Sequence, residues 1–387
     1  MQLSNHEAEG LVRDGAAALQ AGRPAEARRL FEQVTQNGRA NAQIWLLLAT
    51  ACRADDDAAG EETAVDQLLA LQPRLLRALI MKADCRARAD DEHAALGFYK
   101  SALAIAYSEQ VPPEVVAEVQ RAETVATELE ARLRDQRDAA LTAHGLPPKC
   151  RSARFSQSLD ILSGQRRIYR QEPTGYYFPE LPPIQFFATE DLAWVPAIEA
   201  AAPAIRRELE ALLAAGTEGF RPYIQSDPNR PRLDANRLLD NVDWSARFLC
   251  ENGKLNEDTI ARCPATWEAI QSAPQPRIAN SPTAMFSLLR PGARIAPHTG
   301  THNIRLVCHL PLIVPPGCGF RVGNEVRQWQ EGKLLIFDDT IEHEAWNESD
   351  RDRVVLIFDV WRPELSEQER GEVAALFAAM GLQASSA

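Results

Sequence analysis

Along its first part the chain repeats its own pattern of apolar and polar positions at an offset of 34 residues. Gly15, Ala49 and Ala83 share one column, Ala27, Glu61 and Ala95 a second, Phe31, Val65 and Tyr99 a third, and Val34, Leu68 and Ala102 a fourth. Small residues recur where two helices of a pair must approach closely, and large ones where a pair packs on its neighbour. The period therefore predicts stacked helix pairs. Turn signals fall inside each repeat at Ala21-Gly22-Arg23-Pro24, Ala54-Asp55-Asp56-Asp57 and Ala89-Asp90-Asp91-Glu92, and Pro73 closes the second repeat. After Val111-Pro112-Pro113, Val115, Val116, Val119, Val125, Leu129 and Leu133 stand among charges and predict one long amphipathic helix over 114–143. Gly145-Leu146-Pro147-Pro148 stops it. The expected division is helical repeats over 1–107, a connecting helix over 108–148 and a second domain over 149–387.

Beyond residue 148 the period changes. Aromatic and turn residues fill 152–183, and a helix is expected from about Leu192 to Ala215. After Asn280 seven short runs have strand character: Met285–Leu289, Ile304–Leu310, Gly319–Val322, Val326–Trp329, Lys333–Phe337, His343–Trp346 and Arg353–Trp361. Turn residues such as Arg290-Pro291-Gly292, Pro315-Pro316-Gly317 and Glu331-Gly332 separate them. This spacing predicts an antiparallel sandwich or barrel of jelly-roll, cupin-like type. The expected fold class is α+β multidomain, an all-α solenoid followed by a jelly-roll domain with flanking helices. The solenoid resembles the tetratricopeptide repeat, which Trp45, Leu48, Ala49 and Pro73 match best, while Glu61 departs from a small-residue column. Its expected role is to hold a protein or peptide partner in a concave groove. An arbitrary bundle of alanine-rich helices is the competing reading.

Composition narrows the function classes. In 387 residues, 45% hydrophobic and 25% charged, the proportions are those of a globular protein with a sizeable core. A formal net charge of −12 suits neither nucleic acid nor an anionic membrane surface through bulk charge. The apolar runs are short of the roughly 18 residues of a membrane span, and the N-terminus has no basic flank or apolar stretch of a secretory signal. The cytoplasm is the expected compartment. Seven cysteines without CxxC spacing are expected as reduced thiols.

Four of the seven histidines, His298, His302, His309 and His343, cluster among the predicted strands. A single strand histidine is usually a satisfied core or surface residue. His298 follows one predicted strand and His343 opens another, so both imidazoles are expected at a barrel mouth. Two imidazoles on opposed strands form a borderline-soft nitrogen site suited to Fe(II). Non-haem iron oxygenases usually add a carboxylate two residues after the first histidine, and here that residue is Gly300. Arg353 lies on the last strand, where its guanidinium could pair bidentately with a ligand carboxylate or, alternatively, with Asp350 or Asp352 at the surface. His302 has no assigned role.

The runs His298-Thr299-Gly300, His309-Leu310, Glu331-Gly332-Lys333, Phe337-Asp338-Asp339-Thr340-Ile341-Glu342-His343-Glu344-Ala345-Trp346 and Phe358-Asp359-Val360-Trp361-Arg362-Pro363-Glu364-Leu365 resemble the aspartyl/asparaginyl β-hydroxylase family. The resemblance covers roughly 180–370. It implies a double-stranded β-helix carrying a Fe(II)- and 2-oxoglutarate-dependent dioxygenase that consumes O2, with tetratricopeptide repeats ahead of it in some members. By position it implies His298 and His343 as the iron ligands, water in place of the carboxylate, and Ser287 and Arg353 on the far carboxylate of 2-oxoglutarate. It further implies His309 near the cosubstrate's other end and Arg305 on the substrate side. Val307 stands where peptide-hydroxylating members have a second arginine. The expected reaction is hydroxylation of an unactivated C–H carbon, foremost the β-carbon of an aspartyl or asparaginyl residue, coupled to conversion of 2-oxoglutarate to succinate. A silent scaffold, or the same chemistry on a free or carrier-bound amino acid or a lipid acyl chain, are the alternatives.

Overall fold

The computed structural model describes residues 3–216, 219–226, 238–278 and 281–380. The chain divides into two compact units, Met1–Gln165 and Arg166–Ala387. The division falls later than the expected boundary near residue 148. The segment after Pro148 stays with the first unit because Arg151 pairs with Asp138 at 3.2 Å and Arg137 donates to the Leu159 carbonyl at 3.5 Å.

The first unit is helical throughout: α1 (Asn5–Gln20), α2 (Pro24–Gln36), α3 (Ala42–Ala54), α4 (Ala58–Leu71), α5 (Leu76–Arg88), α6 (Glu92–Ser108), α7 (Val116–Ala143) and α8 (Ala153–Leu162). The 34-residue columns are its core. Ala27, Phe31, Val34, Ala49, Val65, Leu68, Ala83 and Ala95 are fully buried. Gly15 is required because a Cβ there would meet the Phe31 ring at 2.7 Å. The turn signals have a common mechanism. Gly22, Asp56 and Asp90 take positive φ, and Asp57 and Asp91 then cap α4 and α6 by accepting from the Gly60 and Ala94 amides at 3.0 Å. The departing Glu61 is fully buried, yet it is paired with Arg53 at 2.7 Å and Arg88 at 2.5 Å, so no bare charge is left inside.

The second unit contains α9 (Val195–Ala214), β1 (Arg221–Pro222), β2 (Trp244–Glu251), β3 (Lys254–Leu255), α10 (Glu257–Arg262), α11 (Pro264–Gln271), β4 (Ala284–Leu289), β5 (Arg294–His298), β6 (Arg305–Ile313), β7 (Cys318–Val322), β8 (Glu325–Arg327), β9 (Leu335–Phe337), β10 (His343–Asn347), β11 (Arg353–Trp361) and α12 (Glu367–Ala379). One antiparallel sheet runs β1-β2-β4-β11-β6-β9, with β3 on β2, and the other runs β5-β10-β7-β8. Strands from β4 to β8 and β9 to β11 thus alternate between sheets in pairs and singles, so residues distant in sequence meet across the gap.

Pleating decides which side chains enter that gap. Phe286, Leu288, Leu306, Cys308, Leu310, Leu356 and Phe358 pack with Ile198, Ile205 and Leu209 of α9 in one core. Their odd-numbered neighbours face the other way, where Leu289, Val307 and Ile357 join Phe320, Val322, Phe337 and Ile341 in a second core. Ser287, Arg305, His309 and Arg353 belong to this second set by alternation.

Four strands lie outside the predicted runs: the two-residue β1 and β3, and the longer β2 and β5. β2 escapes because Arg247 interrupts its apolar run, buried and held by Asp258 at 2.9 Å and Thr259 at 3.3 Å. β5 contains Pro297 and exposed residues, which suits its place at a sheet edge and weakens its strand pattern. No helix among the described residues is long and apolar enough to cross a membrane.

Candidate active site

His298 ends β5, His343 opens β10, and the two are direct cross-strand partners. They are therefore neighbours in one sheet rather than on opposed sheets, with ring centroids 4.1 Å apart. His298 Nδ1 lies 2.8 Å from the Ala296 carbonyl, and His343 Nδ1 lies 3.1 Å from that of Ile341. Donation from Nδ1 to these carbonyls leaves each Nε2 lone pair available to a metal. Burial, with His298 beside it, pushes the His343 pKa down to about 3, so this imidazole is neutral as a ligand must be.

The turn before His343 explains the density of its motif. Asp338 is fully buried and accepts from Arg362 at 2.7 Å, Gln171 at 2.6 Å, and the Thr340 hydroxyl and amide at 2.6 and 3.0 Å. This network fixes the backbone from which Asp339 and His343 project. Gly300 donates its amide to the Asp339 carbonyl at 2.6 Å, and a Cβ on Gly300 would collide with the Asp339 carboxylate. A carboxylate from Asp339 thus fills the space that a side chain at position 300 would need. Sequence reasoning assigned Asp339 no role, although it stands inside the quoted motif. Among the described residues no three His, Cys, Asp or Glu side chains converge as a metal-binding group.

Arg353 projects from β11 into the gap at 2% exposure, with its guanidinium carbon 5.6 Å from the Trp329 ring centre. No carboxylate pairs with it among the described residues, its Nε has no acceptor, and burial pushes its pKa down to about 10. The surface ion pair with Asp352 does not form, because Asp352 is 2.9 Å from Arg290. His309 stacks on the same Trp329 with centroids 5.6 Å apart and rings 12° from parallel, and its buried Nδ1 also lacks a partner. Burial, with Arg353 and His343 nearby, holds His309 well below the usual histidine range. Ser287 is fully buried and accepts from the Trp244 indole N–H at 3.2 Å. Ser287, His309 and Arg353 therefore share one face, with Trp329, which sequence reasoning missed, against His309 and Arg353.

Arg305 lies at the other end of that face. Its Nη2 is 3.2 Å from Asp339 and its Nη1 is 3.6 Å from Asp359, so it is engaged by two buried acids. His302 packs edge-on against Phe377 at 5.3 Å, apart from the imidazole pair.

The two strand-borne imidazoles and the buried Arg353 guanidinium lie within a segment that is similar to a known hydroxylase family. Residues 199–363 match the sequence pattern of the aspartyl/asparaginyl β-hydroxylase family. An ornithine lipid ester-linked acyl 2-hydroxylase from Rhizobium tropici is 40% identical over 185 residues, covering 47% of this chain and 61% of that protein. The human aspartyl/asparaginyl beta-hydroxylase is 39% identical over 140 residues, covering 36% of this chain and 18% of that protein. The chain thus spans less than two thirds of the length of these relatives. PcrH from Pseudomonas aeruginosa is similar in structure to 33% of this chain, at 20% identity and a TM-score of 0.30 over 94% of its own length. A score that low leaves the helix pairs themselves as the ground for describing the first unit.

Proposed function

We propose that the chain is a Fe(II)- and 2-oxoglutarate-dependent dioxygenase that hydroxylates an unactivated carbon. The strand order β4-β11-β6-β9 over β5-β10-β7-β8 supports a double-stranded β-helix as its scaffold. The single observation that carries the reading is Arg353, a buried cation that no carboxylate among the described residues pairs with, in one gap with two imidazoles whose Nδ1 atoms face backbone carbonyls. A guanidinium held out of water without a partner is strongly disfavoured unless a ligand brings the anion.

The residues present fit both groups. His298 and His343 would hold Fe(II). Arg353 and Ser287 would take the far carboxylate of 2-oxoglutarate, and His309 would face the rest of it. With both groups and O2 bound, the chemistry supplied is oxidative: one oxygen atom enters succinate as CO2 leaves, and the other enters a substrate C–H bond. The chain's own contribution is placement. The Asp338 network holds the His343 turn, backbone carbonyls orient both rings, and Trp329, Phe320 and Phe337 close the cosubstrate end against water.

Anaerobic titration with Fe(II) and 2-oxoglutarate tests the reading through the visible charge-transfer band. The band is expected in the parent and absent in His298→Ala. Its absence from folded parent protein supplied with iron would instead favour a silent scaffold. We also propose that the helical unit holds a protein or peptide partner, supported by its stacked pairs alone. Loss of residues 1–107 should then slow turnover of a macromolecular substrate but leave the band in place, and undiminished turnover would refute this role.

A further inference from the structure

Helix α8 presents its apolar side chains to solvent. Ser152 caps it by accepting from the Phe155 amide at 3.2 Å, which fixes where it starts. None of its 10 residues is buried, and none joins a hydrophobic core among the described residues. Phe155, Leu159 and Leu162, at i, i+4 and i+7, form one stripe, whose two ends are 37% and 75% exposed. The polar Ser156, Gln157 and Asp160 are half-buried instead. A helix that packs on its own domain buries the opposite set, so this stripe is left for something outside the unit.

Charge along this segment is the reverse of the chain's. Residues 149–170 hold six cations, Lys149, Arg151, Arg154, Arg166, Arg167 and Arg170, against the single acid Asp160, in a chain whose net charge is −12. Arg151 is committed to Asp138 at 3.2 Å. Lys149, Arg154, Arg167 and Arg170 are exposed, and none of the four forms a salt bridge among the described residues. Screening limits the reach of the distant acids to about 8 Å at physiological ionic strength, so a surface that touches α8 meets the local cations. A protein partner would need an acidic rim around an apolar groove, whereas an anionic bilayer supplies phosphates and an acyl boundary in one plane.

We propose that α8 is an interfacial helix that docks the chain on an anionic phospholipid surface, with Phe155 and Leu162 at the acyl boundary and Lys149 and Arg154 among the lipid phosphates. Arg167 and Arg170, next along the chain, add to the same attraction. The lipid is a docking surface here and not the substrate, so the proposal is independent of what reacts at the imidazole pair.

The experiment uses the full chain and two kinds of vesicle, phosphatidylcholine alone and phosphatidylcholine mixed with phosphatidylglycerol. Cys150, the exposed one of the seven cysteines, carries an environment-sensitive fluorophore close to the start of α8. At low salt the chain should sediment with the phosphatidylglycerol vesicles and the fluorophore should shift to the blue. High salt, or phosphatidylcholine alone, should abolish both signals. Leu162→Ser should weaken binding about tenfold, and Lys149→Gln and Arg154→Gln about fivefold each. Thermal unfolding should be unaltered in all three variants, because none of these side chains is buried. Leu71→Ser removes an apolar side chain that is 55% exposed at the end of α4 and should bind as the parent does. Absence of binding, equal binding to both vesicles, indifference to salt, or sedimentation without the blue shift would overturn the proposal. Full binding by Leu162→Ser, or an equal loss in Leu71→Ser, would do the same. A dimer that Leu162→Ser abolishes, without vesicle binding, would overturn it in favour of a second copy of the chain.

Discussion

Replacing Arg353 by Met should make the ligand-free protein more stable while removing its affinity for 2-oxoglutarate. The guanidinium is 2% exposed and has no carboxylate partner among the described residues, and burial pushes its pKa from 12.5 to about 10. A lowered pKa for a cation means that the charged form is disfavoured in the folded chain, and this holds at every pH below about 10. At 1.36 kcal/mol per unit, the buried guanidinium destabilises the native state by about 3 kcal/mol in the absence of a ligand anion. Met keeps much of the stem's contact with Trp329 and carries no charge. The melting temperature of the sheet-rich unit should therefore rise by on the order of 5–10 °C in Arg353→Met. In the parent, 2-oxoglutarate at a hundredfold excess over its dissociation constant, with Fe(II) under anaerobic conditions, should add about 2.7 kcal/mol. The variant should gain nothing from the same addition. Thermal unfolding of both proteins with and without cosubstrate gives the four values needed. A lower melting temperature for ligand-free Arg353→Met, or an equal increment with 2-oxoglutarate, would show that Arg353 is a structural cation and refute the reasoning.

Two further outcomes follow from named contacts. Gly300→Asp should not restore a three-ligand site, because its Cβ enters the space of the Asp339 carboxylate. A stability loss of about 1–3 kcal/mol from overpacking is expected, with no gain in Co(II) affinity; tighter Co(II) binding at an unchanged melting temperature would contradict this. His302 is 6% exposed, and burial, with Arg305 nearby, pushes its pKa from 6.5 down to about 4. The unfolded chain therefore takes up a proton at His302 first as the pH falls. The His302 contribution to stability is full above about pH 6.5, is lost progressively toward pH 4, and totals about 3 kcal/mol. In His302→Gln the stability difference between pH 7 and pH 4 should shrink by about that amount in denaturant titrations, and an equal slope in both proteins would exclude the assignment.

The parts of this molecule that were legible in sequence are those that repeat or carry rare chemistry. The 34-residue columns became the buried seams of α1–α6 because helix pairs bury residues at local, periodic spacing. His298 and His343 stood out because histidine is scarce and both sat beside strand signals, and the pairing of β5 with β10 makes them cross-strand partners. Asp339 did not stand out. An aspartate in a turn is ordinary, and four strands, β6 to β9, separate it along the chain from Gly300. The same holds for Trp244 and Trp329, which reach Ser287 and Arg353 from distant segments. The later division between the units depends on Arg151 and Arg137 turning back onto the first unit, contacts that composition cannot signal.

By itself, then, the sequence determined the helix pairs of the first unit, the long helix α7, the strands β4 and β6 to β11, and which residue types are available to a site. Those properties follow from periodicity and side-chain chemistry, which act over a few residues. Only the tertiary structure decided the charge state of the site. Whether Arg353 is left without a partner, whether Arg305 is free or shared by Asp339 and Asp359, and whether position 300 has room for a carboxylate all depend on long-range approach in a dry gap. There, unpaired charge is disfavoured most strongly, and a shift of a few ångströms changes what can bind.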